Sequence, residues 1–504
     1  MKRRVDPSLP AFPTVVHALA DAATRVPART ALICGERSLD YAGYLRGAAG
    51  CARELIARGA SGSRVLFLAG NSIETAVAMM GTLAARAQMA PLNPGLTARE
   101  LLPLARDVEP AVIVADGACA DKARTLAAEA GVREVLVLAP DALPAAAALP
   151  EPLPGPEDWA TLPFTGGTTG VPKGAAHRHR NIAWFFRQMY SLWPVGFDDN
   201  VFLNVAPMFH IWGFEFASWM PIYTRSTLVI VPQYKPDDVL AAFERHRVTV
   251  FAGGPPAIYI GLMASPRFAL ADLSSLRYCL AGGAACPEQV MRAWEEKTGC
   301  PMIEGCGMSE GAPIAGNPLD GRRKVLSVGL PAPDTDLEIV DIETGERVLP
   351  PGERGEVRVR GPQFIEGYRN RPEETAHAIR GGWLYTGDIG TLDNEGYLFL
   401  VDRKKELINV GGEKVFPREV DEVLHAHPAV REAAVVAMPD AFRGEAVRAF
   451  VALKPGARAT AEEIIEHCRA SLARFKVPVK VDFLEALPRT GANKIDKLKL
   501  RACS

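Results

Sequence analysis

"PFTGGTTGVPKGAAHRHRN", residues Pro163 to Asn181, crowds glycine and threonine around a single lysine. Such a run can be neither a helix interior nor a buried strand. Its glycines weaken both, and Pro172 removes a backbone donor. A Gly- and Thr-rich turn after a strand instead offers several N–H groups and hydroxyls to one anion. Lys173 adds a mobile point charge suited to phosphate. The run is not a Walker A loop, which needs glycine immediately before the lysine; here Val171 and Pro172 intervene. On these residues alone, a polyphosphate cradle and a plain surface loop are both open readings.

The sequence on either side alternates helices with buried strands. Before the loop, "FPTVVHALADAATRVP" sets Val15, Val16, Leu19 and Ala23 at helical spacing, and "YAGYLRGAAGCARELIARG" repeats the pattern with a glycine stop. "RVLFLAGN", "AVIVADG" and "EVLVLAP" are short continuous apolar runs, as in buried parallel strands, and the helical "SIETAVAMMGTLAARAQ" follows the first. This is α/β rhythm. Residues 139–157, rich in Ala and Pro, read as a solvated connection into the loop. After Trp184 the rhythm resumes to about residue 330, with "STLVIVP", "VTVFAG" and "LRYCLAGG" as strands.

Around 335–400 the texture changes to "DLEIVD", "GEVRVRG" and "GYLFLVD" between tight turns, which predicts an antiparallel sheet or small barrel. Past "VDRKKELINVGGEKVFP" come the helix "PREVDEVLHAH" with proline at its first position, the strands "EAAVVAMPD" and "AVRAFVALK", and the helix "AEEIIEHCRASLARF". The expected fold is therefore α/β. A large N-terminal domain, 1–402, holds α/β subdomains and a small β-barrel; a small α+β domain, 403–504, follows.

At 504 residues the chain is too long for one core. A net charge of −2 leaves no basic footprint for nucleic acid or anionic membrane. Nine scattered cysteines without a CxxC pair fit reduced thiols, not disulfides or zinc. The start, "MKRRVDPSLPAFP", has no apolar segment behind its charges, and no run approaches the roughly 20 apolar residues of a spanning helix. The expected location is the cytoplasm. A homodimer is compatible with the sequence.

The loop resembles the phosphate-binding signature of the adenylate-forming superfamily, which includes acyl-CoA synthetases, firefly luciferase and peptide-synthetase adenylation domains. The usual form is [YF]-T-S-G-T-T-G-x-P-K-G; here Gly166 stands where serine is usual. Further signatures follow in order: "PMFHIWG", "LAGGAACP", "EGCGMSE", "YTGD", "DRKKELINVGGEKVFPREV" and "PRTGANK". The resemblance spans nearly the whole chain and is nearest to fatty acyl-CoA synthetases.

The resemblance implies an ATP-dependent ligase that joins a carboxylic acid to AMP, releases pyrophosphate, and passes the acyl group to coenzyme A. Thr165, Gly166, Gly167, Thr168, Thr169, Gly170 and Lys173 would grip the phosphates. Glu310 would bind Mg2+ with Thr165 close by; read alone, Glu310 is equally a helix N-terminal carboxylate. Gly283, Ala284, Glu304, Gly305, Cys306, Gly307, Met308 and Ser309 would border the adenine. Asp388 would hold the ribose hydroxyls, supplemented by Arg403, although a turn aspartate is the other reading of "YTGD". Cys306 replaces the usual stacking tyrosine, which leaves either a weaker adenine site or an acid pocket extended toward position 306. Lys494 would bridge the acid and the α-phosphate. Asn493 stands for the usual glycine before it, and Asn tolerates the left-handed backbone next best.

Lys405 falls at the family's hinge between the domains. Gly411 and Gly412 belong to a loop that would border the pantetheine tunnel, and that also reads as a hairpin turn. His210 would gate an acid pocket containing Ile211, Trp212, Gly253, Gly282 and Gly307. His210 apart, the pocket stretches "MFHIWGFEFASWMPIY" and "FAGGPPAIYIGLM" carry no basic residue. A second carboxylate would be unpaired there, which is costly. A medium- or long-chain fatty acid is expected, with an aryl or alicyclic acid as the alternative. Delivery to a carrier protein is a further reading, but the insertion typical of such ligases is not visible around 385–410.

Overall fold

The computed structural model describes residues 3–140, 142–165, 172–284, 286–490 and 495–503. The continuous apolar runs are strands of two large, mostly parallel sheets. One has six strands, in the order Glu134–Leu138, Val112–Asp116, Arg64–Leu68, Gln88–Pro91, Trp159–Thr161 and His177–Arg178. The other has nine, running from Leu330–Pro331 through Gly311–Gly316, Met302–Met308, Tyr278–Ala281, Val250–Gly254, Val201–Asn204, Thr227–Ile230 and Thr30–Cys34 to Arg37–Asp40. Strands such as Val65–Leu68 and Val112–Ala115 are fully buried, which is why their sequences are apolar without alternation.

Helix ends follow local chemistry. Thr14 caps Val15–Arg25 by accepting from the His17 amide, and Thr97 with Glu100 forms a reciprocal capping box on Ala98–Val108. The segment expected to be solvated before the phosphate loop is docked instead. Leu143, Leu149 and Leu153 pack on the main core, and a Cβ on Gly50 would come within 2.3 Å of the Pro144 backbone. The glycine lets helix Tyr41–Ala57 accept that crossing.

The antiparallel texture of 335–400 is a five-stranded sheet. Trp383–Leu392 lies at its centre and pairs with Gly355–Arg360, Ile379–Arg380 and Leu398–Arg403, while Asp336–Val340 flanks Gly355–Arg360. The small C-terminal domain has its own sheet, with Gly444–Leu453 between Val430–Asp440 and the parallel strand Lys480–Phe483. The helix expected through Phe475 ends at Arg469. A turn and the short helix Arg474–Lys476 follow, leading to Pro478, whose ring disfavours helix in the residue before it.

Two apolar clusters, built from Ile408 to Val477 and from Ala434 to Leu500, contain only C-terminal residues. Contacts to the large domain include polar ones: Lys404 pairs with Glu356 at 2.8 Å, Arg354 with Glu419, and the Arg418 amide donates to Asp402 at 2.9 Å. Among the described residues no helix is long and apolar enough to cross a membrane.

Candidate active site

Parallel strands leave their C-terminal ends as the natural place for a ligand. Strand ends converge here, carrying Gly70–Asn71, Pro94, Val205–Trp212, Pro232–Tyr234, Gly253–Pro255 and Gly282–Gly283, and strand Met302–Met308, which leads to Glu310, pairs beside the last of them.

The phosphate loop leaves a short hairpin stem. Phe164 pairs with Gly174, the Thr165 amide donates to the Lys173 carbonyl at 2.9 Å, and the Lys173 amide donates back to Thr165 Oγ1 at 3.3 Å. The stem returns through Ala175 to strand His177–Arg178. Gly166, Gly167, Thr168, Thr169 and Gly170 lie outside the described residues.

Glu310 sits in the turn between strands Met302–Met308 and Gly311–Gly316, with 7% of its surface exposed. It is not at a helix N-terminus. The Tyr368 hydroxyl donates to Glu310 Oε1 at 2.6 Å, and Lys173 Nζ lies 4.8 Å from the Tyr368 ring centre. The other side of the turn is held by His177, whose Nε2 is 2.7 Å from the Ser309 carbonyl. Burial lowers the His177 pKa to about 4, so the ring is neutral; a carbonyl only accepts, so Nε2 carries the proton.

Asp388 lies within strand Trp383–Leu392, directly opposite Arg403 and paired with it at 2.6 Å. It is not a turn aspartate. Cys306 is close enough for the Asp388 carboxylate to reinforce burial in pushing its thiol pKa up. Gly282 approaches the Gly305 carbonyl so closely that a Cβ would sit 2.9 Å from it, and Gly283 has φ +78°. Glycine is required at this crossing.

The Glu304 side chain is turned inward. Its carboxylate is buried and accepts from the Cys286 amide at 3.0 Å, and burial raises its pKa to about 7. Any nucleotide contact from this position would come from its backbone.

A cavity of about 410 Å³ opens beside these glycines. His210, Trp212, Gly253, Gly282 and Gly283 line it. Ile211 and Gly307, expected in the pocket, are not among its lining residues. Ile211 points into the main core, and a Cβ on Gly307 would meet Ala312 at 2.7 Å. Phe209, Tyr234 and Asn71 line it and were not anticipated. Asn71 donates to the Ala206 and Val231 carbonyls and accepts from the Met208 amide, fixing the approach to His210. The Trp212 amide donates to His210 Nδ1 at 3.2 Å, which leaves the ring proton on Nε2. Among the described residues no Lys, Arg, Asp or Glu lines the cavity.

Lys405 is exposed in the short helix Lys404–Glu406. Gly411 and Gly412, at φ +62° and +96°, turn the hairpin between Ile408–Val410 and Glu413–Val415. Lys494 lies outside the described residues, but the base of its loop is closed by pairing of Arg489 with Ile495.

Residues 19–369 match the family described as AMP-binding enzyme, and residues 419–494 match the AMP-binding enzyme C-terminal domain. A long-chain-fatty-acid–CoA ligase of Bacillus subtilis (strain 168) is 35% identical, over 97% of this chain and 94% of its own. A feruloyl-CoA synthase of an Amycolatopsis species is 36% identical, over 94% and 96%. ATP-bound MatB from Rhodopseudomonas palustris superposes with a TM-score of 0.89 at 31% identity, over 97% of this chain and 98% of that one. The apo form of that protein gives 0.79, so this chain's shape is nearer the ATP-bound form. Both domains match in order, and the relatives are matched over nearly their whole length; the chain belongs to the AMP-binding enzyme family, within the adenylate-forming superfamily.

Proposed function

We propose that this protein is an AMP-forming CoA ligase for an apolar monocarboxylic acid. The observation that carries the reading is the continuity of the cavity with the Gly282–Gly283 edge, which crosses Gly305 next to Cys306, whose thiol feels the Asp388 carboxylate. An acid in that cavity would present its carboxylate toward the α-phosphate of a nucleotide held by Asp388.

A carboxylate acylates poorly because its leaving group would be oxide. Attack on the α-phosphorus makes a mixed anhydride and expels pyrophosphate, so the site must neutralise charge on both anions. Thr165 and Lys173 hold the outer phosphates, and Lys494 bridges the reacting groups. Mg2+ fits the donor set. Glu310 supplies one buried carboxylate and Thr165 a hydroxyl, and no cluster of three or more His, Cys, Asp or Glu exists among the described residues to form a protein cage. That suits an ion shared with phosphates. When bound, it would neutralise phosphate charge. In the second step the CoA thiol displaces AMP from the anhydride. The test is acid-dependent release of AMP and pyrophosphate with consumption of CoA, across an acid panel.

A medium- or long-chain fatty acid is the first choice, supported by the similarity to the Bacillus ligase. An aryl acid is the second, favoured by Phe209, Trp212 and Tyr234 in the lining. Both should exceed malonate or succinate by well over tenfold in kcat/KM, because an unpaired buried carboxylate costs several kcal/mol. A short dicarboxylate as best substrate would overturn this assignment.

Cys306 is not among the residues that line the cavity, which favours an acid pocket that stops short of it. Cys306→Tyr should therefore tighten ATP binding, by up to about fivefold from one stacking contact, and leave acid preference unchanged. Equilibrium ATP binding and the acid panel check this. Weaker ATP affinity would count against the adenine lying on this edge.

A further inference from the structure

We propose that Tyr368 is a positioning residue that fixes Glu310 and Lys173 relative to one another. The inference rests on the reading that Glu310 meets the metal and Lys173 the phosphates. Tyr368 engages both by different means. Its hydroxyl donates to Glu310 Oε1 at 2.6 Å, and its ring lies under the Lys173 ammonium at 4.8 Å. A phenol at neutral pH is a donor, and here the acceptor is a buried carboxylate that would otherwise have to be solvated.

The backbone makes this a strap rather than a chance contact. Ala175 pairs with Tyr368, and the Arg369 amide donates to the Gly174 carbonyl at 2.9 Å, tying residue 368 to the exit of the phosphate loop. The Ile365 amide donates to the Glu310 carbonyl at 2.9 Å, tying the same segment to the acidic turn. The Tyr368 amide is itself anchored on Thr375 Oγ1 at 2.9 Å. The 365–369 segment thus sets the spacing between a cationic arm and an anionic one. Tyr368 touches both side chains.

The hydroxyl occupies Oε1 and turns Oε2 toward other partners. The ring holds the lysine by its charge and leaves its three N–H donors available. Removing the hydroxyl alone should therefore impair the carboxylate and spare the lysine. Removing the ring should impair both.

The test is ATP binding to the full-length protein by calorimetry, with and without MgCl2, so that no turnover is needed. Tyr368→Phe should keep Mg2+-free ATP affinity within about twofold. It should lose roughly tenfold of the tightening that Mg2+ confers, the scale of a hydrogen bond to a charged group. Tyr368→Leu should in addition weaken Mg2+-free binding by about threefold. Glu310→Gln is the reference. If Mg2+ tightens ATP binding in Glu310→Gln as in the parent, the metal reading of Glu310 fails and the proposal falls with it. If Glu310→Gln abolishes the tightening and Tyr368→Phe keeps it whole, Glu310 stands as metal ligand and Tyr368 is not its positioning residue. The Phe arm decides by itself should the Leu variant not fold. A fall in Tm for Tyr368→Phe with its Mg2+ response intact would also overturn the proposal, because packing would then be its whole role.

Discussion

Lys494→Ala should slow acyl-AMP formation by roughly 100- to 1,000-fold, the scale of losing one preorganised charge at a developing anion, while largely sparing thioester formation from supplied acyl-AMP. The lysine's charge is felt mainly as the carboxylate and α-phosphate merge, when negative charge is densest between them. Attack of the CoA thiol on the acyl carbonyl places its developing charge elsewhere. The loop itself should survive truncation. Its base is held by pairing of Arg489 with Ile495 and by the Asp496 amide on the Pro488 carbonyl at 2.8 Å, contacts that do not involve the lysine side chain. Pyrophosphate release without CoA, set beside single-turnover thioester formation, separates the two steps. Equal loss of both would assign Lys494 a structural role.

Lys405→Pro should unbalance the two half-reactions by tenfold or more rather than slow them together. One site must first exclude water from the adenylate and then admit a CoA thiol, and one rigid closure serves both poorly. We propose that the chain alternates about Lys405. The residue is exposed between Lys404, bound to Glu356, and the start of the C-terminal sheet at Ile408. Proline there fixes φ and removes an N–H at the pivot, so one arrangement becomes favoured. Gly412→Leu should act on the transfer step alone. A Cβ at Gly412 meets nothing within 4 Å in this arrangement, so obstruction arises only when the hairpin turns toward the active site. The strain of a side chain at φ +96° is common to both steps. The same pair of half-reaction assays applies. If both variants slow the two steps by one common factor, rotation about Lys405 is wrong.

Much of this was legible because local chemistry and tertiary placement agree. Buried strands such as Arg64–Leu68 betray themselves as unbroken apolar runs, and the ordered signatures mark the strand ends that meet. Asp388 and Arg403 were each read as serving the ribose, and the register of two antiparallel strands sets them face to face. What escaped depends on direction and distance. Ile211 and Trp212 are adjacent, yet only Trp212 turns to the cavity, and no periodicity announces that choice. Asn71 and Tyr234 reach the cavity from loops more than 160 positions apart; their signal was position alone, just past a parallel strand's C-terminal end. Tyr368 follows an unremarkable glycine on a connecting segment. Its meeting with Glu310 exists only once the two large sheets are brought together.

The apolar clusters of the C-terminal domain share no residue with those of the large domain, and the seam between the two includes ion pairs and a backbone donor. The proposed turning of one domain against the other would exchange these polar contacts with water. Such exchanges nearly balance in free energy. Under the proposed alternation, folding strength and freedom of rotation would have separate physical sources: the cores for the first and the charged contacts of the seam for the second. A residue change inside either core can alter how tightly that half holds together without altering how readily the halves trade places.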